Sequence, residues 1–547
     1  MSPSVSPPGG RVVQRVKALF SGLGTSERAA IGIAIAGFLL RLVRRSPVWG
    51  GSDAADLPAL VEQMVCEPGN VAADLRKLAL FRLGGVEATA LYLQMSAMSL
   101  LHLRVSEFHW ELPALLVGTA NVYLGFLVAR ELAGPKAGVL AAILLSVCPL
   151  GIIQSRHLGA PWMYEQFCQF FLTYLLLRLA REPTLKGGKV AFHATLAAYF
   201  WTGNQMPGIA PVLVYGLAAA AVERDRTERA SHFLWDRYGG KFVLLPVLSL
   251  GTLLYFTFVR REGHLAHALF DKRHETGFYV EHWFDDMSSD LGPGITWFGI
   301  AALVIATASV RGIFSKARLP VILFLAYASP FWFLIPPGTT LTRGYITYGV
   351  GAMLLVLASA LFLAESRPLA RILFPAVAAL MLLVNSGQSA FHLYQEKLLS
   401  VKGFQGSFTP NNGVKTAALF IRSRPRTNGR VFSDASGGTG LEPPLMGIYF
   451  DRPHFSLYDA FPATLPYARF QKQADDIDYL VVLPANRRLV EQYFGEAFQE
   501  ALRVTEEGRG ELLLVYARAA TFASRASMDV SVGDRQFDAR YSLLCGG

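Results

Sequence analysis

The chain has 547 residues, of which 52% are hydrophobic and 17% charged, with a mean hydropathy of +0.34. A soluble domain carries roughly 25% charge, so composition excludes an ordinary soluble protein. The net charge of +10 does not point to nucleic acid, because most Lys and Arg sit in short connectors between apolar segments.

Residues Met1–Arg28 begin with a Ser/Pro-rich stretch and carry no cleavable signal pattern, so the first apolar segment reads as an uncleaved targeting element. Apolar spans are predicted at 29–48, 112–132, 138–154, 162–180, 190–203, 207–222, 242–259, 293–310, 319–335, 344–363 and 372–391, about eleven in all. The connectors Arg130–Lys136, Arg178–Lys189, Glu223–Lys241, Arg311–Arg318 and Glu365–Arg371 are basic. Those between them, Gln154–Pro161, Gly203–Pro207 and Pro336–Arg343, carry one basic residue or none. Cytoplasmic loops retain Lys and Arg, so the N-terminus is expected inside. Segment 86–103 could also span, but that would turn the basic loops outward. It is therefore laid on the outer surface, with its Met and Leu in the interface.

The predicted organisation is a cytoplasmic segment at 1–28, a membrane domain at 29–392 with outer loops at about 49–111 and 260–292, and an extracytoplasmic domain at 393–547. The tail combines helix-like runs at Val414–Arg422 and Arg487–Phe494 with strand-like runs at Arg430–Ser433, Tyr479–Leu483 and Leu512–Tyr516, which makes a small α/β domain. Cys148 and Cys168 read as packing residues, and pairing of Cys66 with Cys545 is left open.

The leading site follows the first span, in Pro47-Val48-Trp49-Gly50-Gly51-Ser52-Asp53-Ala54-Ala55-Asp56-Leu57. If Leu57–Val65 is helical, Asp53 and Asp56 lie on one face near its N-terminus. A carboxylate there could act as a general base, the pair could hold a divalent cation, or Ser52 or Asp53 could simply cap the helix. Arg156 and Arg343 sit in outer loops that otherwise avoid positive charge; both suit phosphate binding or interfacial snorkelling. Arg41, inside the first span, reads as snorkelling or paired with Asp53. His264 and His267 lack a third metal ligand of diagnostic spacing. Gly437-Gly438-Thr439-Gly440 lacks the lysine of a phosphate loop and reads as a turn.

Several stretches together resemble the GT-C glycosyltransferases, in particular the branch of protein O-mannosyltransferases and lipid A aminoarabinose transferases. These are Phe38-Leu39-Leu40-Arg41-Leu42 with the Pro47–Asp53 stretch, Ser106–Pro113, Gly134-Pro135-Lys136-Ala137-Gly138, Cys148-Pro149 with Ser155-Arg156-His157, and Arg343-Gly344-Tyr345. Asp53 is followed by Ala54 rather than by a second acid, and Glu111 stands where that family often has Arg. The resemblance implies a GT-C-like polytopic helical membrane fold that transfers a sugar from a polyprenyl-phosphate donor to a protein, lipid or glycan acceptor outside the bilayer. It implies an inverting mechanism with Asp53 as the catalytic base and Asp56 in support. Arg156 and Arg343 would face the lipid phosphate, and His274 and Glu275 would shape the substrate cavity. Other classes remain: a transporter or flippase for lipid-linked sugars, which would favour internal repeats not found here, and a non-catalytic binding protein.

Overall fold

The computed structural model describes residues 23–42, 53–66, 71–80, 85–155, 162–202, 216–224, 227–262, 413–424, 430–433, 454–456, 474–506, 510–519, 528–531 and 542–543, with a few isolated positions besides. The predicted spans 293–310, 319–335, 344–363 and 372–391 lie outside them, apart from such isolated positions.

The helical domain is built from α1 (Thr25–Leu42), α5 (Glu107–Ala133), α6 (Pro135–Ser146), α7 (Pro149–Gln154), α8 (Trp162–Arg181), α9 (Gly188–Tyr199) and α10 (216–223). Then come α11 (Ala230–Tyr238) and α12 (Leu244–Leu254), the latter preceded by a 3-10 turn and continued by a π turn to Arg260. Among the described residues, Phe108–Ala133 and Lys241–Arg260 are long and apolar enough to cross a membrane. Leu244, Val247, Leu248 and Phe258 are exposed on the second of these, a surface that suits lipid rather than water. The predicted span 138–154 is two helices. The backbone leaves the helix at Val147–Cys148, ahead of Pro149, because the residue before a proline is pushed out of the α region.

One end of the bundle is an ion-pair network. Arg130 of α5 pairs with Glu27 of α1 at 2.7 Å, Arg181 of α8 with Glu131 at 3.0 Å and with Glu223 of α10 at 3.2 Å, and Arg178 with Glu131 at 3.7 Å. Three of the basic connectors therefore begin at the same end, beside the start of the first span. At the opposite end the Val86 N–H donates to the Trp201 carbonyl at 3.0 Å, which joins the first outer loop to the turn after α9.

That loop contains α2 (Asp53–Cys66), α3 (Val71–Ala79), α4 (Gly85–Leu100) and β1 (Arg104–Val105). Pro113, one and a half turns into α5, has no N–H to give the His109 carbonyl four residues earlier. Gln94 of α4 takes that place, its Nε2 donating to the His109 oxygen at 2.5 Å. The Ser106 N–H donates to His109 Nδ1 at 3.0 Å and so closes the start of the helix. Arg76 of α3 pairs with Glu262 beyond α12 and lies over the Phe256 ring.

The tail contributes α13 (Val414–Arg422), α14 (Arg487–Phe494) and strands β2 (Arg430–Ser433), β3 (His454–Ser456), β4 (Ile477–Val482), β5 (Phe498–Glu506), β6 (Gly510–Arg518), β7 (Met528–Ser531) and β8 (Ser542–Leu543). Six strands form one mixed sheet in the order β3-β2-β4-β6-β5-β7. The β2–β3, β2–β4 and β5–β7 pairs are parallel, while β4–β6 and β5–β6 are antiparallel. Successive residues alternate faces. Phe432, Leu480, Val482, Leu514 and Tyr516 pack under α14 with Val490 and Phe494. Val431, Tyr479, Val481, Leu513 and Val515 share a core with Ala417, Phe420 and Ile421 of α13.

This second core continues into the first outer loop. Leu57 and Val61 of α2, Leu91 and Met95 of α4, and Trp110 belong to it. In addition β1 pairs antiparallel with β8, Arg104 opposite Leu543. Cys66 is disulfide-bonded while Cys148 and Cys168 are free, which leaves Cys545, outside the described residues, as the remaining cysteine. The expectation for 86–103 is corrected in one respect. Met95 and Met98 of α4 are buried in this shared core rather than in the membrane interface, and it is Leu93, Leu100 and Leu101 that are exposed.

Candidate active site at the outer ends of the spans

The helix α2 opens at Asp53, so Asp53 and Asp56 occupy its first turn, the backbone arrangement that the spacing anticipates. The hydrophobic stripe Leu57, Val61 and Met64 explains why the helix forms there: it recurs every three to four residues and fills the core shared with the sheet. The backbone of both acids thereby belongs to a helix whose apolar stripe is held in that core. Arg156, Arg343, His274 and Glu275 lie outside the described residues.

One of the two expectations for Arg41, snorkelling, is corrected. Its side chain is 1% exposed, so it does not snorkel. Its Nε donates to Ser155 Oγ at 3.0 Å, and Nη1 to the Gly37 carbonyl at 2.9 Å. Glycines make room for it. A Cβ on Gly37 would lie 3.1 Å from Nη1, one on Gly118 3.5 Å from Nε, and one on Gly151 3.7 Å from Nη2. Small residues at helix contacts let backbones approach in this way. Arg41 thus holds Ser155, the residue that follows the short helix α7 and precedes Arg156 in sequence.

Around this point the bundle is polar inside. Glu87 of α4, Glu111 of α5 and Glu165 of α8 are each 3% exposed or less. Ionisable groups at membrane depth are expensive and usually mark function. Asn121 donates from Nδ2 to the Met163 carbonyl at 2.9 Å and to Gln166 Oε1 at 3.2 Å. Gln169 donates to the Tyr199 hydroxyl at 2.9 Å. The Glu87 carboxylate lies within electrostatic reach of Tyr164. Glu165 lies within the predicted span 162–180, and Glu111 immediately before the predicted span 112–132. Their signal was visible in the polar breaks of Glu107–Pro113 and Trp162–Gln169 within apolar runs. Among the described residues no three His, Cys, Asp or Glu side chains are grouped to hold a metal ion.

No family model matches the chain, and neither does any curated relative. Among solved structures it is similar to apo ArnT from Cupriavidus metallidurans, at 14% identity and a TM-score of 0.59, covering 91% of this chain and 98% of that one. The same protein bound to undecaprenyl phosphate gives 0.58 at the same identity and coverage. A likeness to the apo oligosaccharyltransferase of Archaeoglobus fulgidus, with a TM-score of 0.48, is too distant to define a shared fold. The chain therefore has the GT-C fold, that of polytopic membrane proteins with a C-terminal domain. Within that fold its likeness is to ArnT, a lipid A aminoarabinose transferase, over nearly the whole of both chains.

Proposed function

We propose that this chain is a membrane glycosyltransferase that moves a sugar from a polyprenyl-phosphate donor to an acceptor on the extracytoplasmic face. Asp53 accepts the proton of the acceptor hydroxyl as that oxygen attacks the anomeric carbon from the face opposite the phosphate. The bond between sugar and phosphate breaks, and the polyprenyl phosphate leaves. Asp56 supports the acceptor or a divalent cation. Arg156 and Arg343 offset the charge that develops on the leaving phosphate, and His274 and Glu275 line the cavity. About eleven spans carry the site, with the N-terminus cytoplasmic and the tail outside a bacterial inner membrane.

The observation that carries this reading is the start of α2 at Asp53, eleven residues past α1, on a helix anchored in the core of the tail domain. Such a placement suits a base that must meet a lipid phosphate at the membrane surface. The ion-pair network at the other end supports the orientation, because it unites connectors chosen as cytoplasmic for their charge. The disulfide at Cys66 supports an oxidising compartment for the first loop. Undecaprenyl phosphate bound to the similar ArnT supports the donor class.

The test is transfer from undecaprenyl-phosphate sugars by purified Asp53→Asn and Asp56→Asn. Asn caps a helix about as well as Asp, so a capping role leaves Asp53→Asn active. Loss of a base reduces transfer on the order of a hundredfold or more with unchanged thermal stability. Full activity of both variants would remove the base from this loop.

A further inference from the structure

Three buried side chains around the first turn of α8 have polar atoms with no hydrogen-bond partner. Gln154, fully buried at the end of α7, leaves both amide atoms unpaired. The Tyr164 hydroxyl is unpaired on a residue 5% exposed. Asn121 is 2% exposed, and its Oδ1 is unpaired although its Nδ2 is engaged by Met163 and Gln166. Gln154 and Tyr164 lie on either side of Arg156 in sequence, and their helices α7 and α8 touch. Asn121 is bonded to the carbonyl of Met163, next to Tyr164. Native interiors leave few such groups, and each calls for a ligand, an ion or water. The three lie on helices α5, α7 and α8, which contact one another pairwise, and they are treated as one set.

The chemistry of the set is specific. An amide and a phenol each donate and accept, and none of these three groups carries charge. That suits neutral hydroxyls, not a phosphate, which would call for Arg or Lys. We infer that Asn121, Gln154 and Tyr164 recognise the sugar of the lipid-linked donor by hydrogen bonds to its ring hydroxyls. This rests on the glycosyltransferase reading, which it deepens by separating the sugar contacts from the phosphate contacts. A site built to pair with hydroxyls discriminates strongly, because a substrate lacking them leaves buried groups unpaired.

The experiment measures binding to the full-length protein in nanodiscs of undecaprenyl phosphate and of undecaprenyl-phosphate-linked glucose, mannose, galactose and aminoarabinose. The expected result is that the wild type binds at least one sugar-bearing lipid about tenfold or more tighter than undecaprenyl phosphate. Tyr164→Phe and Gln154→Met should each remove most of that gain and leave affinity for undecaprenyl phosphate within about twofold. Tyr164→Phe deletes only an unpaired hydroxyl, so without ligand it should melt no lower than wild type. A gain that persists in both variants, or is absent for every sugar in the wild type, overturns the inference and leaves the groups to bound water. An equal fall in affinity for bare undecaprenyl phosphate overturns it too, in favour of a packing role. Failure of the wild type to bind undecaprenyl phosphate at all would instead defeat the glycosyltransferase reading.

Discussion

Gly118→Ala tests whether the contact between α5 and the end of α7 is as tight as the buried Arg41 requires. A Cβ on Gly118 would stand 2.5 Å from the Ser155 Cβ. Carbon atoms pack at roughly 3.5–4.0 Å, so the helices must part by about 1 Å or more. Overpacking of this kind destabilises by about 1–3 kcal/mol. The movement falls on Ser155, which Arg41 Nε holds at 3.0 Å and which immediately precedes Arg156 in sequence. Misplacing substrate-positioning groups by about 1 Å can lower turnover about a hundredfold. The assay pairs thermal melts in detergent with sugar transfer. Gly32→Ala on α1 is the control: its Cβ would meet nothing within 4 Å, so it should be neutral. Adding Ser155→Gly to Gly118→Ala removes the clashing carbon and should recover part of the lost stability. A Gly118→Ala protein that melts and turns over like wild type would refute the packing argument.

Other perturbations follow from the same contacts. Cys66→Ser should lower stability by about 2–4 kcal/mol, seen as a lower melting temperature that reducing agent no longer affects. The Glu27 carboxyl is held below its ordinary value of 4.5 by the Gly24 N–H and then by Arg130. The stability it contributes is present above 4.5 and lost as pH falls through the lowered value, so Glu27→Gln should destabilise at neutral pH and matter little in acid. Glu62, on α2, has the opposite sign: burial raises it above 4.5, opposed by Arg422 of α13. Its favourable contribution is present below 4.5 and lost as pH rises through the raised value, so Glu62→Gln should stabilise at neutral pH. Melts of both variants across pH 3.5–8 check the two signs. Cysteine labelling from outside intact cells should miss residues substituted in Glu223–Lys241; labelling there would overturn the orientation.

Period and punctuation made much of the fold legible. Val414–Arg422, Arg430–Ser433 and Arg487–Phe494 appear with the expected limits, because each has a clean helical or alternating apolar pattern. Strand β5 was not legible. Its sequence, Phe498 to Glu506, is rich in Gln, Glu and Arg, and register shifts between Glu500 and Leu502 and between Val504 and Thr505 break the alternation. The α6–α7 break was masked because both halves are apolar, though Pro149 signalled it. At the site, the α2 position of Asp53 and Asp56 was legible from local spacing. Arg41 was not, because its partner Ser155 lies 114 residues away.

The hardest feature to read was the shared core of first loop and tail, and it bears on how the site works. Leu57, Val61 and Met64 look like an ordinary amphipathic stripe, and only the fold shows that they face Ala417, Phe420 and the sheet. The stripe begins one residue after Asp56. A disturbance of the sheet core therefore reaches the first turn of α2 through packed side chains rather than through the chain itself. The tail is then part of what positions the first-loop acids, and not an appended module. The β1–β8 pair and the disulfide at Cys66 add two more ties to this loop, one after α4 and one at the last residue of α2. Since α4 also replaces the hydrogen bond that Pro113 removes from α5, the same loop is fastened to the bundle. The acids thus sit on an element clamped from both sides, as the proposed base must be to meet a reacting hydroxyl within hydrogen-bond reach.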